Sequence, residues 1–127
     1  MRSLVLLLAF LAACSSSLSP EAQRAIPKDS EAFTPPEIYE TWWSETSECS
    51  QMRWRDFATI SWRRVEGDGW REDGGKERFI LALYEPPGTI YIGSTWLREP
   101  IIVKHEMLHA LGFGRDHPSP PFGTCNV

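Results

Sequence analysis

The strongest constraint on this chain is the pentapeptide His105-Glu106-Met107-Leu108-His109. It follows the pattern H-E-x-x-H, and residues four apart on a helix share one face, so both imidazoles can reach one metal ion. Glu106 is one residue round the helix from His105 and would lie beside the metal as a base without binding it. The pattern predicts a helix that carries a zinc-dependent hydrolytic site. The alternative is a polar helix with two surface histidines.

The flanking residues predict where this helix begins and ends. Pro100 suits the first helical position, because its missing N–H would have no partner there. An apolar, core-facing stripe then continues to Leu111. Gly112 and Gly114 both suit a left-handed C-terminal cap. The chain should therefore turn sharply after the second histidine, as a third ligand from downstream would require.

Two residues after this turn are candidates for the third metal ligand. Zinc in hydrolytic sites takes three protein ligands and keeps a fourth position open. We favour His117, because imidazole suits zinc better than a lone carboxylate and because Pro118 restricts the conformation of the residue before it. Asp116 is the alternative ligand, or else a partner for a histidine N–H. A distant third ligand, or none, is the remaining alternative.

The run from His105 to Gly112, H-E-x-x-H-x-x-G, resembles the metzincin branch of the zincin metallopeptidases. In that family a third His or Asp follows the glycine by three residues, but here that position is Arg115, which cannot bind a metal. The methionine turn of metzincins is also absent, since no methionine follows Met107. The wider pattern is similar to small, uncharacterised bacterial lipoproteins of zincin type; it comprises Lys-His-Glu-Met-Leu-His-Ala-Leu, Gly-Arg-Asp-His-Pro, Phe122 and Cys125.

The resemblance to zincins implies a peptidase with one zinc ion. Zinc would activate a water molecule and polarise the scissile carbonyl, while Glu106 takes the proton and passes it to the leaving amine. Tyr84, Tyr91 and Arg115 are the candidate donors to the oxyanion. By analogy with zincins, an extended peptide substrate would pair with residues 89–93 as an edge strand. The alternatives are a non-catalytic zinc-binding envelope lipoprotein and an interaction module that uses its tryptophans.

The N-terminus predicts export and a lipid anchor. Residues 4–13 form an apolar run that is too short to span a bilayer but has the length of a signal-peptide core. Leu-Ala-Ala-Cys, ending at Cys14, resembles the lipobox of bacterial lipoproteins. This resemblance implies a signal peptide over residues 1–13, a lipid on Cys14 and attachment to the bacterial cell envelope. Ser15 favours the outer membrane. The alternative is an ordinary secretory signal with an incidental cysteine.

The two other cysteines, Cys49 and Cys125, are predicted to form a disulfide, because export places them in an oxidising compartment. The rival interpretation makes Cys125 a zinc ligand. The bridge explains both cysteines, and it would tie the C-terminal tail to an early helix.

The hydrophobic pattern predicts a small α+β domain. A helix is expected from Pro36 to about Cys49, a half-buried strand over residues 57–65, a central strand over 79–84 and its hairpin partner over 89–93. These strands predict a short antiparallel sheet. Residues 14–35 are predicted to be a lipidated flexible tether, and residues 36–127 a zincin-like catalytic domain.

Charge argues against one class of partner. The formal net charge is −4, and no basic cluster exceeds Arg63-Arg64, so nothing indicates nucleic acid. The expected partners are an unidentified peptide or protein substrate and, through the lipid, a membrane. We expect a monomer.

Overall fold

The structure, a computed structural model, describes residue 23 and residues 25–72 and 78–127. The predicted signal peptide, the predicted lipidation site Cys14 and the first part of the predicted tether lie outside the described residues. The α+β class is confirmed, since two helices, a four-stranded sheet and a two-stranded sheet build the described part of the chain. No helix within these ranges is long and apolar enough to cross a membrane.

The first helix, α1 (Ile38–Ser50), lies where the helical spacing of apolar residues predicts it. Tyr39, Trp43 and Thr46 recur at intervals of four and three, and all three are buried. The ring of Tyr39 packs on Trp62 of the sheet, with centroids 4.9 Å apart. The helix ends at Gln51, whose backbone is left-handed (φ 60°). Cys49 therefore lies in the last turn of α1.

The strands form a mixed sheet and a separate two-stranded sheet. They are β1 (Glu31–Ala32), β2 (Ser61–Val65), β3 (Trp70–Arg71), β4 (Phe79–Ile80), β5 (Ala82–Glu85) and β6 (Thr89–Gly93). The larger sheet has the order β1-β2-β6-β5, and β3 pairs with β4. The predicted β5–β6 hairpin is confirmed, but β2 and β6 are parallel. The sheet is therefore not purely antiparallel as predicted. The chain between β2 and β6 passes through β3, β4 and β5, and this long crossover allows a parallel pair.

Two of the predicted strands differ in detail. Residues 57–65 do not form one strand, because Phe57–Thr59 is a turn of 3₁₀-helix that leaves Ala58 exposed. The predicted central strand over 79–84 is also wrong. It divides at Leu81 into β4, which pairs with β3, and β5, which lies at the edge of the larger sheet. An apolar run shows that a segment is buried, but not which strands lie beside it.

The domain begins earlier than the predicted boundary at residue 36. Within the predicted tether, β1 pairs with β2, and Ser30 accepts two hydrogen bonds from the Arg63 guanidinium at 2.7 and 2.8 Å. Ala25 is buried, and its carbonyl accepts a hydrogen bond from the indole N–H of Trp70 at 2.7 Å. Residues 25–35 are therefore not a flexible tether. Most of these contacts are made through the backbone, so side-chain composition carries little signal for them.

The second helix, α2 (Pro100–Leu108), starts at the predicted proline and contacts both α1 and β5. The two helices cover one face of the larger sheet. The main core there comprises Tyr39, Trp43, Ile60, Trp62, Tyr84, Ile90, Ile92, Val103, Met107, Ala110 and Leu111. A smaller cluster of Ala25, Val65, Trp70 and Ile80 lies on the opposite face. This arrangement holds α2 beside the edge strand β5.

Candidate metal centre

The first two histidines lie one turn apart at the end of α2, as the spacing predicts. Their Nε2 atoms are 3.2 Å apart. After α2 the chain kinks at Gly112, whose backbone is not helical, and the N–H of Gly114 donates to the carbonyl of His109 at 3.1 Å. Here the turn directs the chain back toward the histidines.

Gly112 makes the return possible. Its φ is 148°, a backbone conformation that side-chain-bearing residues rarely adopt. A Cβ atom at this position would lie 2.6 Å from Cε of Met52 and 3.1 Å from Cδ1 of Trp54. Gly114 also has a positive φ, 57°. The sharp turn expected from these two glycines is confirmed.

The turn brings His117 to the first two histidines. Its Nε2 lies 3.1 Å from the Nε2 of both His105 and His109. Within the described ranges, these three form the group whose ligand atoms all lie within 4.8 Å of one another. Asp116 is exposed and lies outside this group. The fold therefore brings His117, and not Asp116, to the pair on α2.

The three imidazoles fit a single metal ion. A tetrahedral zinc ion with Zn–N bonds of about 2.0–2.1 Å separates two ligand nitrogens by roughly 3.3 Å. The observed separations of 3.1–3.2 Å are close to this. Three ligands leave the fourth position open, whereas structural zinc sites usually have four protein ligands. Imidazole also suits copper, iron and nickel, so the donor set defines a metal-binding group without fixing the metal.

Burial favours the neutral imidazoles that a metal requires. It lowers the pKa of His109 to about 4, and the charges of His105 and His117 act in the same direction. The pKa of His105 is lowered too, first by burial and then by the charge of His117. The ring of Phe122 lies against all three imidazoles, with centroid distances of 4.8–5.0 Å. His109 is therefore unprotonated at neutral pH.

Glu106 lies outside the group of three imidazoles but lines the same cleft. It is 6% exposed. Burial raises the pKa of its carboxyl to about 8, against a backbone hydrogen bond from Tyr84 that lowers it. A carboxyl with a pKa near neutrality can both take up and release a proton at physiological pH.

The cleft has a volume of about 540 Å³ and runs between β5 and the start of α2. Leu81, Ala82, Leu83 and Tyr84 line one side of it, and Ile101 and Ile102 line the other. The strand prediction needs a correction here. The segment Thr89–Gly93, predicted to be the edge, is the interior strand β6, and the edge beside the histidines is β5. Both strands are short and apolar, so the sequence does not distinguish edge from interior.

The structure separates the three candidate oxyanion donors. The hydroxyl of Tyr84 donates to the Pro87 carbonyl at 3.2 Å, and Tyr91 packs on Trp70 in the smaller cluster on the opposite face of the sheet. Arg115 lines the cleft, and its charge acts on both His109 and Glu85. Arg115 is therefore the candidate whose cationic side chain lies near the metal-binding group.

The predicted disulfide is confirmed. Cys49 in α1 is bonded to Cys125, with the two Cα atoms 5.6 Å apart and 76 positions apart in sequence. Cys125 is therefore not a metal ligand. Close by, buried Lys104 donates to the carbonyl of Val127 at 3.1 Å and forms an ion pair with Glu45 at 2.9 Å. The end of the chain is thus fastened to both helices.

Comparison with models of protein families, with curated proteins and with solved structures finds no match for this chain. The likeness to zincins therefore depends on the histidines, Glu106 and Gly112 themselves.

Sequence reasoning misses the roles of two residues at the site. One is Phe122, whose ring forms the apolar wall behind the three imidazoles. The other is the buried Lys104, which lies next to His105 in sequence but faces α1 and the tail. A lysine in the middle of an otherwise apolar helix face is the one signal that could have indicated such a contact.

Proposed function

We propose that this protein is a zinc-dependent peptidase of the bacterial cell envelope. One observation carries the proposal: three converging imidazoles, a buried carboxyl and an edge strand share a single cleft. A metal group alone would suit a structural site. The carboxyl and the strand edge are what a peptide-hydrolysing site needs in addition.

His105, His109 and His117 would hold the metal. When bound there, zinc supplies a Lewis acid that activates water and polarises a carbonyl group. Glu106 holds the proton taken from the attacking water and returns it to the leaving amine. Its raised pKa favours this exchange, because the carboxyl and a nitrogen leaving group are then closer in basicity.

The edge of β5 would bind the substrate backbone. Leu81 accepts a hydrogen bond from the N–H of Gly93 on β6 at 2.9 Å, so its backbone faces into the sheet. Since backbone direction alternates along a strand, Ala82 and Tyr84 face the cleft. The N–H of Tyr84 bonds to Glu106, which leaves Ala82 to pair with an extended peptide. The substrate would thus lie along β5 and pass the histidines.

Arg115 would stabilise the charge that develops on the carbonyl oxygen. Its side chain lines the cleft, and its charge already acts on His109. A cationic donor contributes most where it meets charge that appears only in the transition state. The residue that departs from the metzincin ligand pattern would thereby have a catalytic role of its own.

The cellular location is proposed from residues 1–15. A lipid on Cys14 would hold the domain at the envelope, at the outer membrane in organisms with two membranes. The domain starts by Ala25, so the span between lipid and domain is about ten residues and the cleft would stay near the membrane surface.

The test combines metal content with hydrolysis of an unfolded protein substrate. Wild type should bind about one zinc ion and cleave, whereas Glu106→Gln should keep the zinc and lose at least about a hundredfold in rate. Glu40→Gln, which removes an exposed carboxylate on α1, is the matched control and should cleave like wild type. Zinc binding without any cleavage by wild type would instead favour a structural metal site in a non-catalytic lipoprotein.

A further inference from the structure

Residues 118–127 form a segment that we call the C-terminal strap. Its backbone hydrogen bonds run within the segment itself, from the N–H of Phe122 to Pro118 at 3.2 Å and from the N–H of Cys125 to Pro121 at 2.8 Å. The strap is thus a compact run of turns and belongs to neither sheet.

The strap is attached to the domain at a few points. The disulfide joins Cys125 to α1, and Lys104 on α2 donates to the carbonyl of Val127. Phe122 and Cys125 pack in a small cluster of their own with Leu108. No residue of the strap belongs to the main core formed by the described residues. The covalent link is therefore the strongest of these attachments.

The strap also touches the metal-binding group. Phe122 packs against all three imidazoles, and His117 directly precedes the strap and is exposed. His105 and His109 are differently placed, because they lie at the end of α2 and directly after it, next to Met107 and Leu111 of the main core. Release of the strap would therefore displace His117 and leave the other two histidines in position.

We propose that the Cys49–Cys125 disulfide controls the third metal ligand. Thiol–disulfide exchange with a dithiol would pass two electrons and two protons to the two sulfur atoms, which become thiols, while the dithiol becomes a disulfide. The strap then loses its link to α1, His117 leaves the metal and Phe122 leaves the imidazoles. The oxidised chain binds metal through three histidines and the reduced chain through two.

This inference rests on the metal-binding part of the proposed function and needs no peptidase activity. It makes the metal site respond to the thiol balance of the compartment, since disulfides persist where conditions are oxidising and are lost where thiols prevail. A chain that has not formed its disulfide would hold metal poorly. Tight metal binding would therefore occur only in a chain whose disulfide has formed.

The test measures zinc affinity by competition with a chromophoric chelator, on the full chain before and after treatment with a dithiol. The dithiol is removed without oxygen before the titration, because it binds zinc itself. Loss of an outer partner of a ligand costs about ten- to a hundredfold in affinity, so we expect reduction to weaken zinc binding by at least about a hundredfold. His117→Ala should weaken the oxidised protein to a similar degree. Reduction of the His117→Ala protein should then weaken its zinc affinity little further, because both changes remove the same ligand.

The double variant Cys49→Ser with Cys125→Ser should reproduce the reduced protein without any thiol at these positions that could bind zinc. Far-ultraviolet circular dichroism of each sample should match wild type. The inference is overturned if the reduced protein keeps its affinity, or if His117→Ala costs as much after reduction as before. It is also overturned if reduction removes the helical signal together with all zinc, because the bridge would then hold the whole domain. If oxidised wild type binds no zinc, the proposed function is overturned as well. If wild type binds zinc with an affinity that reduction does not change, this inference alone is overturned.

Discussion

The carboxyl group of Glu106 on α2 accepts a hydrogen bond from the backbone N–H of Tyr84 on β5. The proposed base and the proposed substrate strand are therefore joined directly. This bond orients the carboxyl but does not offset its burial, and the pKa stays raised to about 8. Keeping the Glu106 carboxyl ionised in the folded domain therefore costs free energy.

Metal-free Glu106→Gln should be more stable than metal-free wild type at pH 7 and above. The wild-type carboxyl has a pKa near 4.5 when unfolded and about 8 when folded, so the folded state binds more protons between these values. The contribution of this carboxyl to stability is complete below the unfolded-state pKa of 4.5. It is lost as the pH rises through the folded-state pKa of about 8. Glutamine carries no charge and avoids this loss, which is at most on the order of 5 kcal/mol. Thermal unfolding from pH 4 to 9 measures it, and a constant difference across this range would contradict the account.

The metal-binding group should depend on all three histidines and little on Asp116. We expect His105→Ala and His109→Ala to abolish binding of one zinc ion, and His117→Ala to weaken it strongly and lower the melting temperature of the zinc-loaded domain. Asp116→Ala should cost at most about ten- to a hundredfold, as for a residue that only supports a ligand. Metal analysis after dialysis against trace zinc, with calorimetric titration, measures both effects. Loss of zinc in Asp116→Ala with retention in His117→Ala would reverse the ligand assignment.

Replacing Ala82 by proline should impair substrate binding more than folding. Proline removes the N–H that faces the cleft, while the hydrogen bonds of β5 to β6 run through its neighbours. The expected result is a rise in KM of about tenfold, the value of roughly one lost hydrogen bond, with zinc content unchanged. Ala82→Ser keeps the N–H and is the control. Equal KM values for the two variants would show that the substrate does not pair with β5.

Gly112→Ala should destabilise the domain by about 1–3 kcal/mol or more, the range for a strained backbone conformation plus a clash. The added Cβ would meet Met52 and Trp54 at a residue whose φ is already positive. Gly67→Ala separates the two causes, because Gly67 has φ 90° but a Cβ added there would meet no packing neighbour within 4 Å. Urea unfolding of both variants makes the comparison. Equal losses would assign the whole effect to backbone conformation.

Cys14→Ser should release the protein from membranes or leave it unprocessed, because no thioether lipid can form. Membrane fractionation and intact mass should both change, whereas Ser15→Ala should leave the lipid in place. A Cys14→Ser protein with unchanged mass and fractionation would show that this cysteine is ordinary and that the envelope assignment fails.

The parts of the site that could be predicted from the sequence are those encoded within one short segment. The spacing of His105 and His109, the proline at the start of α2 and Gly112 at its end all depend on residues within a few turns of one another. The disulfide could be predicted from a different kind of constraint, since two cysteines in an exported chain have few other roles. Ligand chemistry favours His117, and the fold places it with the other two histidines.

The features that could not be predicted depend on pairing between distant segments. The parallel β2–β6 pair places Ser61 beside Thr89, and nothing local to either strand specifies this partner. The same pairing puts β6 in the sheet interior and leaves β5 at the edge, so the strand predicted to be the edge is an inner one. The early start of the domain could not be predicted for a similar reason, because Ala25 is held by the side chain of Trp70, far along the chain.

The Cys49–Cys125 bridge spans 76 positions, and Cys125 follows the two helices and six strands of the described residues in chain order. If the chain is exported from its N-terminus, every one of these elements must cross the membrane before the second sulfur atom can meet the first. The strap would therefore be the last part to be fastened, and the third histidine would take its place only at the end of export. A chain still in transit would lack a complete metal site, so the proposed peptidase activity would be absent inside the cell. Pulse labelling should accordingly detect zinc-bound protein only after the disulfide has formed. Zinc binding that precedes the disulfide would refute this order of events.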